Sequence, residues 1–271
     1  MNNKILKILF IGDIVGKPGR RAVQALVPQL REELGIDLVF ANGENLAAGK
    51  GMTVAKYEET KSFGIDYFTS GNHIWNNEDI VGYLDDPKIK VLRPANYIDR
   101  PGRGFVELLV AGKKIVLVNV QGRVFIDESL EDPFVTAKNI VDLCKDAIII
   151  VDIHAEATSE KAALGYYLDG LVTAVLGTHT HVQTADEKIL PKGTAFITDI
   201  GMVGPEESVL GVKKEIIIEK FLTALPLSHK VATGDSIFNA VLLEVDTQSN
   251  KALKIERINK IYRADSAQER R

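Results

Sequence analysis

Short apolar runs that end on polar residues recur through the first third of the chain, and each is followed by a stretch with helical spacing. The run 8–11 ends at Gly12-Asp13, and residues 20–34 repeat apolar positions at helical periodicity. The run 38–41 ends at Asn42-Gly43-Glu44-Asn45 and precedes a helix-like stretch over 54–62. The run 67–69 leads to Gly71-Asn72-His73, with a helix expected from about 77 to 84. Strand, polar tip and helix in repetition are what a parallel α/β sheet requires. They deliver polar residues to the carboxyl ends of strands, where such sheets build their sites.

The pattern then changes. Proline and glycine gather between Pro94 and Gly104, and the runs 105–110 and 114–120, separated by Ala111-Gly112-Lys113, read as a hairpin. A helix is expected over 133–145, followed by a nearly uninterrupted apolar strand over 147–153 that stops at His154. Residues 171–176 read as a strand stopping before Thr178-His179-Thr180-His181. The stretches 195–198, 215–223, 239–245 and 252–258 read as strand, helix and two closing strands. Two mixed sheets packed face to face and flanked by helices accommodate this order, as does a single mixed sheet.

With 271 residues, 45% of them hydrophobic, the chain can fill one large core, and a single domain spanning 1–271 is expected. Lysine and arginine number 33 against 37 acidic residues, a net charge of −4. No overall positive field draws in duplex nucleic acid, whereas local cations at a site still admit a small phosphate ester. The start of the chain, 1–15, superficially resembles a signal peptide, but Asp13 interrupts its apolar run. No later run reaches the roughly 18 apolar residues of a membrane span, so a soluble, cytoplasmic protein without membrane contact is expected. The one cysteine, Cys144, reads as a small core or surface residue at a helix end, and the tail 264–271 as frayed.

Histidine is the sharpest chemical clue. Of five, four follow strand-like runs: His73, His154, His179 and His181. One such histidine is more often structural than a ligand. Four of them at strand ends, alongside Asp13, Glu44, Asn45 and Asn72, call for a strong common partner, because buried polar groups are costly unless paired. Metal ions supply that partner, and about seven donors exceed the four of a simple zinc site, so two ions are expected. Imidazole mixed with oxygen donors suits iron, manganese, zinc or cobalt, with iron or manganese expected first. The His179-Thr180-His181 spacing would place both imidazoles on one face of an extended segment, with Gly177 allowing close backbone passage.

Taken in chain order, Gly12-Asp13, Asn42-Gly43-Glu44-Asn45, Gly71-Asn72-His73, His154 and Gly177-Thr178-His179-Thr180-His181 resemble the signature of the calcineurin-like metallophosphoesterases. Two departures narrow the likeness. The usual Asp-x-His reads Asp13-Ile14-Val15, and the usual Gly-Asp-x-x-Asp reads Gly43-Glu44-Asn45. These departures, with Leu92-Arg93-Pro94-Ala95-Asn96, the segment from His154 to Lys161 and the segment from Thr178 to Asp186, resemble the YmdB-type 2′,3′-cyclic-nucleotide 2′-phosphodiesterases from about Ile8 to Arg257.

The resemblance implies a calcineurin-like sandwich. It also implies one metal on Asp13, Glu44, Asn45 and His181, and a second on Glu44, Asn72, His154 and His179. A shared hydroxide would attack phosphorus in line, and His73 would protonate the leaving ribose oxygen, opening a 2′,3′-cyclic nucleotide to the 3′-phosphate. Other substrates stay open: a phosphomonoester, an RNA end or a cyclic dinucleotide. So does a regulatory protein acting through partners. Base rates allow a homo-oligomer.

Several nearby residues carry two readings. Arg123 either reaches substrate phosphate or forms a surface ion pair. Glu156, Thr158 and Ser159 either orient His154 or touch substrate, unless the two hydroxyls cap a helix. Asp199 reads better as a turn residue than as a partner of a ligand, and His229 as solvated. Gly16-Lys17-Pro18-Gly19-Arg20 lacks the ending of a phosphate-binding loop and reads as a turn into a helix.

Overall fold

The structure is a computed structural model that describes residues 5–126 and 129–264, so the tail expected to fray lies outside the described residues beyond Ala264. The first apolar run forms β1 (Ile5–Ile11), and the chain passes through Gly12 into the two-residue β2 (Asp13–Ile14). Only glycine fits at Gly12, where a Cβ would lie 1.9 Å from the Gly201 carbonyl oxygen. Helix α1 (Gly16–Leu34) starts four residues before the periodic stretch. Pro18 is tolerated there because first-turn N–H groups have no partner within the helix.

Next come β3 (Leu38–Asn42), α2 (Val54–Lys61), β4 (Tyr67–Thr69), a 3₁₀ turn over Asn72–Asn76 and the short α3 (Glu78–Val81). The expected hairpin is β5 (Phe105–Val110) with β6 (Lys113–Gln121). Helix α4 (Pro133–Leu143) has its N-terminus capped by Asp132, and Cys144 is buried at its far end. Strand β7 (Ile148–His154) carries His154 as its last residue.

Helix α5 (Thr158–Tyr167) begins where the sequence allowed Thr158 or Ser159 to cap a helix. A Cβ at its internal Gly165 would lie 2.5 Å from the Phe196 ring, so the glycine lets the helix lie close against the sheet. Neither Thr158 nor Ser159 caps it: Ala157 is the cap residue, with no side-chain bond. Strand β8 (Ala174–Thr178) begins later than expected and runs through Thr178, because its register pairs His154 with Thr178. The remaining elements are β9 (Lys188–Ile189), β10 (Ala195–Ile197), β11 (Met202–Pro205), α6 (Lys214–Thr223), β12 (Ser236–Asp246) and β13 (Ala252–Tyr262).

Two mixed sheets result. One runs β2-β11-β12-β1-β3-β4, with β13 on the other edge of β12. The second runs β5-β6-β7-β8-β10-β9. Alternation along the strands builds three apolar layers. Ile8 and Phe10 of β1, Phe40 of β3, Leu117 of β6 and Ile150 of β7 face one another between the sheets. Leu9 and Ile11 instead meet the helices of the first sheet, among them Val23 and Val27 of α1. Val118 and Val151 meet Ile140 of α4 and Leu164 of α5. This is the sandwich of two mixed sheets flanked by helices, and among the described residues no helix is long and apolar enough to cross a membrane.

Phe10 and Phe40 meet edge to face at 6.1 Å in the layer between the sheets, both fully buried. Phe40→Ala is expected to cost about 3–5 kcal/mol, read as a lower urea midpoint at unchanged slope. A loss below about 1 kcal/mol would mean that this layer is not the packed core described.

Candidate metal centre

Both sheets end on the same polar cluster. Asp13 comes from the first sheet at β2, Glu44 and Asn45 follow β3, and Asn72 and His73 follow β4. The second sheet contributes His154 at the end of β7, and His179 and His181 directly after β8. Asp13, Glu44, Asn45, His154, His179 and His181 are linked by short contacts here together with His73, while Asn72, next to His73 in the chain, has its Oδ1 buried.

Glu44 lies at the middle, 1% exposed. Its Oε2 is 3.1 Å from His154 Nε2 and accepts the backbone N–H of His73 at 3.2 Å. Its Oε1 accepts Asn45 Nδ2 at 3.1 Å and is 3.2 Å from His73 Nδ1. On one side, His179 Nδ1 lies 3.1 Å from His154 Nε2. Among the described residues, Glu44, His154 and His179 offer donor atoms within 4.8 Å of one another. On the other side, His181 Nε2 lies 3.2 Å from Asn45 Nδ2 and 3.9 Å from Asp13 Oδ1. The Asn45 amide here turns its oxygen to His73 Nδ1 at 2.8 Å, and a half-turn would exchange oxygen and nitrogen.

The donor set fits divalent cations. Asp13 Oδ1 and Asn72 Oδ1 are buried without a hydrogen-bond partner, although each is an acceptor that folding has removed from water. Gly71 keeps the centre open: a Cβ there would lie 2.2 Å from the His154 ring and 2.4 Å from Glu44 Oε2.

The electrostatics tell the same story. Burial pushes the Glu44 carboxyl up, but His154 and His73 outweigh it and hold it well below the usual range. Burial drives the His154 imidazole down, yet Glu44, Asp13 and Asp152 overcome this and bring it up to about 9. Burial raises Asp13 above its ordinary value, against the pull of His181 and His154. Burial, together with repulsion from His154, sends His179 down to about 3. So dense a mixture of negative oxygens and imidazoles favours whatever positive charge can enter it.

A supporting layer escaped the sequence reading. Asp152, inside the apolar run of β7, is fully buried, and burial lifts its carboxyl to about 7. It accepts the Thr178 hydroxyl proton at 2.8 Å, which leaves Thr178 Oγ1 to accept from His154 Nδ1 at 2.9 Å. That bond places the Nδ1 proton and directs Nε2 at Glu44 and His179. Asn42 Nδ2 donates to Asp152 Oδ2 at 3.4 Å, while Asn42 Oδ1 accepts the Glu44 backbone N–H at 3.0 Å. One aspartate breaking the apolar run 147–153 was the available signal.

Several sequence readings need correction. His179 and His181 do not share the face of an extended segment: both have left-handed backbone, at φ 97° and 66°, and His179 Nδ1 meets His154 while His181 Nε2 meets Asn45. Such conformations are strained for non-glycine residues and persist only when their surroundings impose them. Asp199 is no simple turn residue. Fully buried, it accepts Lys161 Nζ at 2.7 Å, the Thr180 backbone N–H at 3.0 Å and the Thr180 hydroxyl at 2.7 Å, so it fixes the residue between the two histidines. Glu156 pairs with His179 Nε2 at 3.1 Å instead of orienting His154. Arg123 takes the ion-pair reading, with Asp132 at 2.5 Å. His229 is exposed, as expected of a solvated residue, but it also lines a cleft of about 630 Å³ shared with His73, His181, Lys50 and Lys220.

Comparison with known proteins is consistent with this geometry. The family described as YmdB-like protein matches residues 9–258. A Bacillus subtilis (strain 168) protein named 2′,3′-cyclic-nucleotide 2′-phosphodiesterase is 46% identical over 256 residues, covering 93% of this chain and 96% of that one. The crystal structure of a novel phosphatase from Mycoplasma pneumoniae superposes with a TM-score of 0.92 at 35% identity, over 99% of this chain and 98% of that one. A putative 5′-nucleotidase from Staphylococcus aureus shares the fold alone, with a TM-score of 0.62 at 15% identity, over 97% of this chain and 55% of its own.

Gly71→Ala is expected to weaken binding of divalent metal at least about tenfold by chelator competition, with far-UV circular dichroism unchanged. Unchanged affinity would show that the space beside His154 and Glu44 is not the metal site. A second expectation concerns protons. Metal-free, His154 holds its proton up to about 9, against 6.5 for an ordinary imidazole, so its contribution to stability is complete below pH 6.5 and is lost as pH rises through 9. The loss is at most about 1.4 kcal/mol per pH unit. The melting temperature of chelated protein should fall from about pH 7 to about pH 9, and His154→Asn should remove that slope. Equal slopes would place the proton elsewhere.

Proposed function

The chain belongs to the YmdB-like protein family, and on that premise we propose that it is a metal-dependent phosphodiesterase opening 2′,3′-cyclic nucleotides to 3′-nucleotides. The observation that carries this reading is the attachment of His73. Its Nδ1 is held by Asn45 Oδ1 at 2.8 Å, beside the donor cluster, while the residue lines the cleft. Asp13, Glu44, Asn45 and His181 would hold one ion, and Glu44, Asn72, His154 and His179 the other, iron or manganese first among the candidates. When bound, the pair supplies Lewis-acid activation of water and of the phosphoryl group.

The chain's own residues do the remaining work. With Nδ1 held against Asn45, a doubly protonated His73 would give its Nε2 proton to the departing 2′ oxygen and be left neutral, since that oxygen leaves poorly as an alkoxide. Asp152 and Thr178 hold His154 in one tautomer, and Asp199 holds the loop that carries His179 and His181. Strands from both ends of the chain fill the layer between the sheets, which supports reading 1–271 as one domain. The name of the Mycoplasma pneumoniae structure favours a phosphomonoester as the second reading.

The test is a substrate panel with metal-loaded protein. Cyclic 2′,3′-nucleotide should give only 3′-nucleotide, faster than a 3′- or 5′-nucleotide loses phosphate. His73→Ala should lose about 10²–10⁴ in kcat while retaining metal, whereas Asn72→Ala should lose metal as read by elemental analysis. Full turnover by His73→Ala, or a 2′-nucleotide product, would sink the mechanism.

A further inference from the structure

Of the five histidines, His229 is the one that the reaction leaves unused, yet it lines the same cleft of about 630 Å³ as His73 and His181. Two lysines line that cleft with it, and each of the three comes from a different stretch of chain. Lys50 sits in the loop between β3 and α2, Lys220 on α6, and His229 in the segment between α6 and β12. Lys50 and His229 are exposed and Lys220 is partly so, whereas the donor cluster lies behind them in the buried part of the site. Val15, Leu210 and Val231 supply apolar wall. Volume and lining are those of a small-ligand site.

Charge in this cleft has one sign. No acidic side chain lines it, on a chain that carries 37 acidic residues. Elsewhere on the surface lysines are neutralised: Lys56 by Glu59, Lys138 by Asp142, Lys254 by Glu256 and, on α6 itself, Lys214 by Glu207. Among the described residues, no carboxylate forms an ion pair with Lys50, Lys220 or His229. Lys220 Nζ instead lies 3.4 Å from His229 Nε2, so both members of that contact are bases. They repel once each carries a proton, and an anion placed between them would turn the repulsion into charge-assisted hydrogen bonds.

The scissile phosphate does not meet that need, because under the reading above it belongs to the ions and to His73. A nucleotide ordinarily carries phosphate at one further place, the 5′ oxygen, across the ribose from the 2′ and 3′ oxygens. We propose that Lys220 and His229, with Lys50, form a subsite for a second, unreacting phosphate on the 5′ oxygen, so that the favoured substrate bears phosphate at both ends of its ribose. The subsite presupposes the cyclic-phosphodiester reading and deepens it from a reaction to a substrate class. The ribose and base lie against the apolar wall, and the cations at the open side fix which end of the nucleotide reaches His73.

Binding is measured by isothermal titration of metal-loaded protein with three product forms: adenosine 3′-phosphate, adenosine 3′,5′-bisphosphate, and a diadenosine dinucleotide ending in a 3′-phosphate. Wild type should bind the bisphosphate at least about tenfold more tightly than the monophosphate, with the advantage shrinking as salt rises. In the Lys220→Gln/His229→Asn double variant, whose side chains lie outside the core, that advantage should fall below about threefold. A gain for the bisphosphate alone assigns the subsite to a terminal 5′-phosphate, and an equal gain for the dinucleotide to any phosphate on the 5′ oxygen. An advantage below about twofold in wild type, or one undiminished in the double variant, would overturn the subsite. Turnover is read separately on adenosine 2′,3′-cyclic phosphate with and without a 5′-phosphate, where wild type should favour the phosphorylated form about tenfold in kcat/KM. If neither form is hydrolysed while bisphosphate binding still depends on Lys220 and His229, the reaction assignment fails and the subsite stands. Hydrolysis of both at equal kcat/KM, with equal binding, leaves the reaction and removes the subsite.

Discussion

A carboxylate that folding removes from water must find positive charge, and Glu44 is the carboxylate around which the two sheets meet. Its side chain is 1% exposed and touches His154, His73 and Asn45 directly. Asp13 is buried close by with one oxygen that accepts no hydrogen bond, so local hydrogen bonding does not neutralise the cluster. A cation entering the cluster would offset the cost of burying these groups, as is usual where buried charges persist.

That requirement reaches outward into the scaffold. A ligand cluster is useful only if its members are held, and here the holding groups are themselves buried. Asp152 and Thr178 set the His154 ring from behind, while the Lys161–Asp199 ion pair, fully buried on both sides, reaches the Thr180 backbone and hydroxyl. The left-handed backbone at His179 and His181 would relax in an isolated loop. Between β8 and the Asp199 turn it cannot. The glycines serve the same end by letting strands and rings approach: Gly177 would place a Cβ 1.8 Å from the Thr198 carbonyl oxygen, and Gly71 would place one against the His154 ring.

The division between what was legible and what was not follows the range of the interactions. Strands over 67–69 and 105–110 match the observed limits because alternation and flanking turns are local signals. The extent of helix α5 was not legible, because the place of Gly165 in it depends on Phe196, about thirty residues further along the chain. Asp199 looked like a turn residue because nothing nearby in sequence announces Lys161, and His229 is solvated as expected, though only the folded loop brings it beside Lys220 and the cleft.

By itself the sequence determined the chemistry on offer: which oxygen and imidazole donors exist and that they follow apolar strands. These are properties of residue type and period, which need no partner to be read. Tertiary structure decided which donors share an atom's neighbourhood, that the His179-Thr180-His181 segment is not extended, and that His229 lines the same cleft as His73 and His181. Each of these depends on segments far apart in the chain meeting at distances set by packing. No local pattern encodes such a distance.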